Sequence, residues 1–262
     1  MNTTHLFYRV LFVLVALLSP FASASAVAAN ERSVMVKWVP DGDTMRLRSG
    51  RWVRLQGIDA PEMGRDGQPG QYFSEEATAA LQGLVMGQPL TLVSHGKDRY
   101  GRTLATCLLA DGRDVAAAMV QDGFAFYYPH REHTQVLRHR LLTAQRTAMQ
   151  KGRGFWPRIK ILSDNHGAWM GNSRSGRAFP VGTAAANSIH PTNQVPLPDL
   201  WEVYWQGYSP ARSVSCWPAA SHYSAPFFTV SVSLPETWNL PFVAGARMRR
   251  ESAPSLTFLL VA

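Results

Sequence analysis

The chain has 262 residues, with 26 Lys and Arg against 18 Asp and Glu and two cysteines. That length suits one ordinary core plus an appendage, and 46% hydrophobic with 17% charged residues is too apolar for wholesale disorder. A membrane transporter is excluded, two cysteines allow at most one bridge (Cys107 to Cys216) and no cysteine-built zinc site, and the formal charge of +8 favours a polyanionic partner.

Residues 1–29 carry one basic residue, Arg9, then an apolar run Val10 to Leu18, a Ser19-Pro20 break and small residues Ala22 to Ala29. The run falls well short of the ~20 residues a bilayer requires, so the segment reads as a secretory signal peptide. Export to periplasm, medium or cell surface is the expectation. Val34, Val36 and Trp38 alternate along a first strand, and Pro40-Asp41-Gly42 breaks it. Met45 and Leu47 share one face of a second strand. After the Ser49-Gly50 turn, Val53 and Leu55 share a face of a third strand and leave Arg54 pointing away from that core. Ser74 is placed to cap a helix with the stripe Ala77, Ala80, Leu81, Leu84 and Val85, closed by Gly87. Two more strands follow, Leu90 to Val93 and Thr103 to Leu109, with Cys107 expected as a small buried hydrophobe. A short helix carries Val115, Ala118 and Met119, and a longer one carries Leu137, Leu141, Ala144 and Ala148. The order predicts an α+β fold, a five-stranded OB-type Greek-key β-barrel with three helices, over residues 30–160. Residues 161–262 hold 10 of the 17 prolines and little periodicity, and are expected to form a loop-rich tail or a degraded small module, poorly ordered.

Charge concentrates at turns and strand ends in four pieces: Asp41-Gly42-Asp43-Thr44, the stretch Arg54 to Glu62, Asp98-Arg99-Tyr100-Gly101-Arg102, and Asp111-Gly112. With the ending Gln150-Lys151-Gly152-Arg153-Gly154-Phe155-Trp156, these pieces stand in the order in which the staphylococcal nuclease (thermonuclease) family has them. The sequence resembles that family from about Val34 to Trp156. The resemblance implies that Asp43 and Asp59 are carboxylate ligands of Ca2+, with the Ala60 carbonyl as a further ligand. It implies that Glu62 orients or deprotonates the attacking water and that Arg54 and Arg102 hold the scissile phosphate. Thr44 falls where the family has a threonine close to the ion. Arg99, Tyr100 and Tyr127 are the candidate substrate contacts; Tyr127 and Tyr128 resemble tyrosines lining the family's nucleotide pocket. One departure is Val115-Ala116, where the family has an Asn that supports the second helix.

The residue types suit the chemistry. Calcium takes six to eight oxygen ligands, so two carboxylates, a carbonyl, waters and a phosphate oxygen make a plausible shell. Guanidinium forks match the charge that grows on phosphate oxygens in the transition state. The expected protein is thus a monomeric, exported, calcium-dependent nuclease acting on DNA and RNA with little sequence preference and leaving 3'-phosphates. Taken singly the same residues read more plainly: an Asp in a turn is commonly a cap, and His130 with His133 reads as a solvated pair. One rival is a noncatalytic nucleic-acid-binding protein on the same fold, which predicts gaps among Asp43, Arg54, Asp59, Glu62 and Arg102. None is missing. A second rival is an envelope protein that holds acidic polymers, which has no use for carboxylates set beside arginines.

Overall fold

A computed structural model of the chain describes residues 30–165, 167–214 and 217–218, together with two short paired strands at 231–232 and 256–257. The leader-like segment 1–29 and Cys216 lie outside the described residues. Among the described residues no helix is long and apolar enough to cross a membrane.

The alternating segments form strands β1 (Asn30–Val34), β2 (Val36–Asp41), β3 (Thr44–Leu47) and β4 (Trp52–Leu55). The anticipated face Val34, Val36, Trp38 does not hold. The β2–β3 register slips on both sides of Trp38, which turns Val39 into the core and leaves Trp38 51% exposed, edge-on to Trp52. A two-residue strand β5 (Ile58–Asp59) precedes helix α1 (Ser74–Val85). Ser74 is the first residue inside that helix rather than its cap, which falls on Phe73 in a left-handed conformation (φ 70°). Ala77, Leu81 and Val85 face the core, and α1 lies against β2. Strands β6 (Leu90–Lys97) and β7 (Thr103–Leu108) make an antiparallel hairpin. Helix α2 (Val115–Gln121) starts at Asp114, whose carboxylate accepts the N–H groups of Ala116 and Ala117 and so holds the helix without the family's asparagine. Strand β8 (Phe126–Tyr127) pairs with β5, and Thr134 caps helix α3 (Gln135–Gln150).

The first sheet is mixed and has six strands, in the order β1-β6-β7-β4-β3-β2, with β4 parallel to β7. Five strands were anticipated; β1 is the addition. It opposes β2 from the other edge of the sheet, and Met35 alone separates the two in the chain.

The expected boundary at residue 160 falls inside helix α4 (Trp156–Asp164). The described part of the region beyond, expected as a loop-rich tail or a degraded small module, consists of regular elements, while 219–230, 233–255 and 258–262 lie outside the described residues. It forms β9 (Trp169–Asn172), β10 (Arg177–Pro180), α5 (Ala184–Asn187), β11 (Gln194–Leu197), α6 (Leu200–Trp205) and β12 (Ser209–Pro210). The four strands make a sheet in the order β11-β9-β10-β12. Trp169, Ala178 and Leu197 of this sheet and Leu200 and Val203 of α6 share a core with Phe126, Ala148, Met149 and Trp156 from the first part of the chain. Among the polar bonds that join the parts, Gln145 Nε2 donates to the Tyr204 carbonyl and Arg146 Nε to that of Trp205. Prolines and a short, largely aromatic core hide this module from any test of periodicity.

Candidate active site

The turn Asp41-Gly42-Asp43-Thr44 joins β2 to β3, and its glycine is demanded by space. A Cβ on Gly42 would stand 2.8 Å from the Cβ atoms of Ala60 and Ala77, so the turn is pressed against both the Asp59-Ala60 segment and α1. This close approach brings Asp43 to Asp59. Thr44 pairs with Arg54 across β3 and β4, which delivers the arginine to the same place. Arg54 does leave the apolar core, as the alternation predicts. It enters a buried polar interior rather than solvent and is only 8% exposed.

There Arg54 bridges the two aspartates, Nη1 donating to Asp43 Oδ1 and Nη2 to Asp59 Oδ1, with a further bond from Nη2 to the Ile58 carbonyl at 3.3 Å. Asp43 Oδ1 also accepts the Thr44 hydroxyl at 2.9 Å, and Oδ2 accepts the Ala60 N–H at 3.1 Å. The Thr44 oxygen in turn accepts Arg102 Nη1 at 3.2 Å. Five of the expected residues, Asp43, Thr44, Arg54, Asp59 and Arg102, thus form one hydrogen-bonded line, and Ala60 touches it through its backbone.

Asp98 sets the far end. Its Oδ1 accepts the N–H groups of Tyr100 and Arg102, and its Oδ2 accepts Arg102 Nε at 2.7 Å. Partial burial opposes the charge of this carboxyl, but the Arg102 and backbone hydrogen bonds outweigh it and hold Asp98 below the usual carboxylate range. Tyr100 projects from the turn, 64% exposed, with Arg99 and Arg102 at 4.7 and 5.4 Å from its ring centroid. Glu62 is not in the line. It lies half-exposed beyond Arg65, whose Nη2 is 4.0 Å from Glu62 Oε2 and 3.6 Å from Asp41 Oδ2. Tyr127 is a correction: at 2% exposure it belongs to the core, facing α3, and Tyr128 is the tyrosine that lines the cleft. His133 also differs from the solvated pair anticipated, since it lines the cleft half-buried with its ring 5.7 Å from that of His130.

Burial, reinforced by the neighbouring Asp43, pushes the carboxyls of Asp41 and Asp59 up to about 6. Burial opposes the Arg54 charge as well, but Asp43 and Asp59 prevail and hold the guanidinium protonated. Three buried carboxylates, Asp41, Asp43 and Asp59, thus share the pocket with one buried cation, Arg54, while Arg65 and Arg212 are more exposed. Among the described residues no three carboxylate, histidine or cysteine side chains converge as a ready metal site. The donor chemistry nevertheless fits a hard cation, because Asp43, Asp59 and the Ala60 carbonyl offer oxygens alone and the buried charge is mostly negative.

Asp41, Arg65, Arg177 and Arg212 had no assigned role in the sequence. Asp41 stands in the turn motif itself and could have been suspected there. Arg212 comes from 153 residues beyond Asp59, donating Nη2 to Asp59 Oδ1 at 2.9 Å, a juxtaposition without local signal. Arg54, Arg102, Tyr100 and Tyr128 line one cleft of about 1410 Å³. Its cations are Arg54, Lys97, Arg99, Arg102, Arg140, Arg177 and Arg212, against the two acids Asp98 and Glu132.

Residues 52–158 match the family described as staphylococcal nuclease homologue. An uncharacterized endonuclease of Haemophilus influenzae is 31% identical over 185 residues, covering 69% of this chain and 97% of that protein. A probable endonuclease LCL3 of Coccidioides posadasii is 30% identical over 155 residues, 56% of this chain and 48% of its own. An uncharacterized endonuclease of Escherichia coli O157:H7 is 34% identical over 121 residues, 45% and 72% respectively. With an ordered set of motifs, a matched family region and a relative aligned over nearly its whole length, the chain belongs to the staphylococcal nuclease family of hydrolytic nucleases.

Proposed function

We propose that the protein is an exported, calcium-dependent endonuclease that hydrolyses phosphodiester bonds of DNA and RNA with little sequence preference. The observation that carries this reading is the line Arg102–Thr44–Asp43–Arg54–Asp59 at a cleft lined by seven cations and two acids. Such a lining favours a polyanion through its backbone, which confers affinity without base reading. Export rests on the leader-like pattern of residues 1–29. The OB-type barrel is part of the same proposal: Met35 alone separates β1 from β2, so one bent strand pairing with β6 at one end and β3 at the other would close the sheet.

Asp43, Asp59 and the Ala60 carbonyl would hold the calcium ion. When bound, calcium supplies positive charge against the phosphate oxygens and makes a nearby water more acidic. The protein's own groups do the rest. Arg102 spends two of its five N–H donors on Asp98 and Thr44, leaving three for phosphate oxygens. Arg54 spends three on Asp43, Asp59 and Ile58 and keeps two. Both are pinned before substrate arrives, so their charge is already aimed when the phosphorus becomes five-coordinate and its oxygens gain charge. Glu62 accepts the proton of the attacking water as the water oxygen bonds to phosphorus. The bond to the 5'-oxygen breaks, that oxygen takes a proton from solvent, and a 3'-phosphate remains.

Nicking of supercoiled plasmid by the purified chain tests the reading. Chelation of calcium is expected to stop cleavage, with recovery on adding calcium back. Glu62→Gln is expected to lower the rate on the order of 10²-fold or more. Unaltered cleavage in either experiment removes the proposed chemistry.

A further inference from the structure

We infer that the module of residues 169–214 supplies a second phosphate-binding position, at which Arg177 and Arg212 grip a neighbouring phosphate of the nucleic-acid chain with Tyr128 as their platform. The inference rests on the nuclease reading and extends it from a site for one phosphodiester to a track for a polymer.

Arg177 opens β10, and its guanidinium lies 3.6 Å from the Tyr128 ring centroid. Nη2 donates to the Pro129 carbonyl at 3.0 Å and Nη1 to Ser209 Oγ at 2.6 Å. Among the described residues no carboxylate lies within salt-bridge distance of it, although the side chain is half-buried and Asp59 offsets part of that burial from farther away. A cation withdrawn from water without a counter-ion in contact is costly, and a tyrosine ring with a more distant carboxylate offsets that only in part. Arg212 adds to the cost, since its guanidinium is 5.5 Å from the same ring and the two like charges repel. An anion received between them would relieve that repulsion and give Arg177 the contact counter-ion it lacks. Both arginines line the cleft with donors to spare, in the forked geometry that suits a phosphate.

Their position makes this a second site rather than part of the first. Arg54 and Arg212 both donate to Asp59 Oδ1, so the two guanidinium groups lie within ~6 Å of each other. From Arg54 the line runs one way through Asp43 and Thr44 to Arg102, and the other way through Arg212 to Tyr128 and Arg177. The cations thus extend along the cleft on both sides of Asp59. The module is seated firmly enough to hold its arginines in place, because Gly176 presses on Pro129 so closely that a Cβ would be 2.7 Å from its ring.

Arg177→Gln and Arg212→Gln, made in the whole chain, test the assignment, with Arg177→Lys as the charge-conserving control. Arg212 is half-exposed and makes one hydrogen bond, so its variant is expected to fold even if Arg177→Gln loosens the module; melting curves check this. Affinity for a fluorescent 12-nucleotide single strand is measured without calcium over a range of salt. Cleavage of that strand is compared with cleavage of a nitrophenyl mononucleotide diester, which carries a single phosphodiester. Each Gln variant is expected to weaken strand binding about tenfold and to reduce the slope of log K against log salt by ~0.7. KM for the strand should rise at least tenfold more than KM for the diester. Equal losses on both substrates with an unchanged salt slope would mean that the arginines only brace Asp59 and the module, and would overturn the inference. A wild-type chain that binds the strand without cutting it defeats the catalytic reading, while the slopes still decide this one. A chain that neither binds nor cuts defeats both.

Discussion

Thr44 shows how much of the site hangs on one hydroxyl. It donates to Asp43 and accepts from Arg102, and so links the aspartate–Arg54 cluster to the second arginine. At 3% exposure it has little water to substitute for a lost partner. Hydrogen bonds to charged groups contribute about 1.5–3 kcal/mol, so Thr44→Val, which keeps the shape and removes the hydroxyl, is expected to lower kcat/KM by roughly tenfold or more. Thr44→Ser should restore most of the activity. A Val variant as active as wild type on plasmid would show that Arg102 is positioned by Asp98 alone. Cys107 illustrates the opposite case of a chemically able side chain kept idle. It is fully buried with its thiol pushed up to about 12, as a strand-centre cysteine reading as a small hydrophobe implies.

At the scale of elements, the contact between β10 and the chain after β8 depends on a glycine for two separable reasons. Gly176 and Gly182 both have left-handed φ values, 70° and 87°, but a Cβ at Gly182 meets nothing within 4 Å while one at Gly176 collides with Pro129. Gly182→Ala should therefore cost only the backbone penalty of about 1 kcal/mol, and Gly176→Ala a further 1–3 kcal/mol for displaced packing. Equal losses in urea midpoint would refute the close seating of the module. The legibility of the fold follows the same division between local and distant causes. Strands β3, β4, β6 and β7 and helices α1 to α3 carry their own two-residue or helical periodicity, and each was readable before any contact was known. Strand β1, Asn-Glu-Arg-Ser-Val, has no alternation and exists through its pairing with β6; β5 and β8 are two residues each and exist through one another. The site divides likewise. Asp43, Arg54, Asp59 and Arg102 sit in compact motifs, whereas Tyr127 and Tyr128 could not be told apart until β8 fixed which one faced the core, and Arg177 and Arg212 arrive from a region legible only as a tail or a degraded small module.

Among the described residues the second module packs on helices α3 and α4 and strand β8 through an aromatic and aliphatic core, and the cleft is lined by residues of both parts, so its titrating groups report on the assembled fold. His133 is the clearest. Burial first, then the nearby charges of His130 and Arg177, lower it to about 4; Glu132 opposes the shift and His95 adds slightly to it. Folding therefore favours neutral His133, whereas the unfolded chain binds its proton with a pKa near 6.5. Its contribution to stability is complete above pH 6.5, falls as the pH drops towards 4, and levels off below. Asp41 and Asp59 have the opposite sign, since carboxyls raised to about 6 bind protons in the fold before the unfolded chain does, so a single stability curve would mix the two effects. The difference between wild type and His133→Gln isolates the histidine. In urea titrations from pH 7.5 to 4 with a chelator present, the variant is expected to lose less stability than wild type between pH 6.5 and 4, and to run parallel to it above 6.5. Curves parallel over the whole range would mean that water reaches the ring in the assembled cleft.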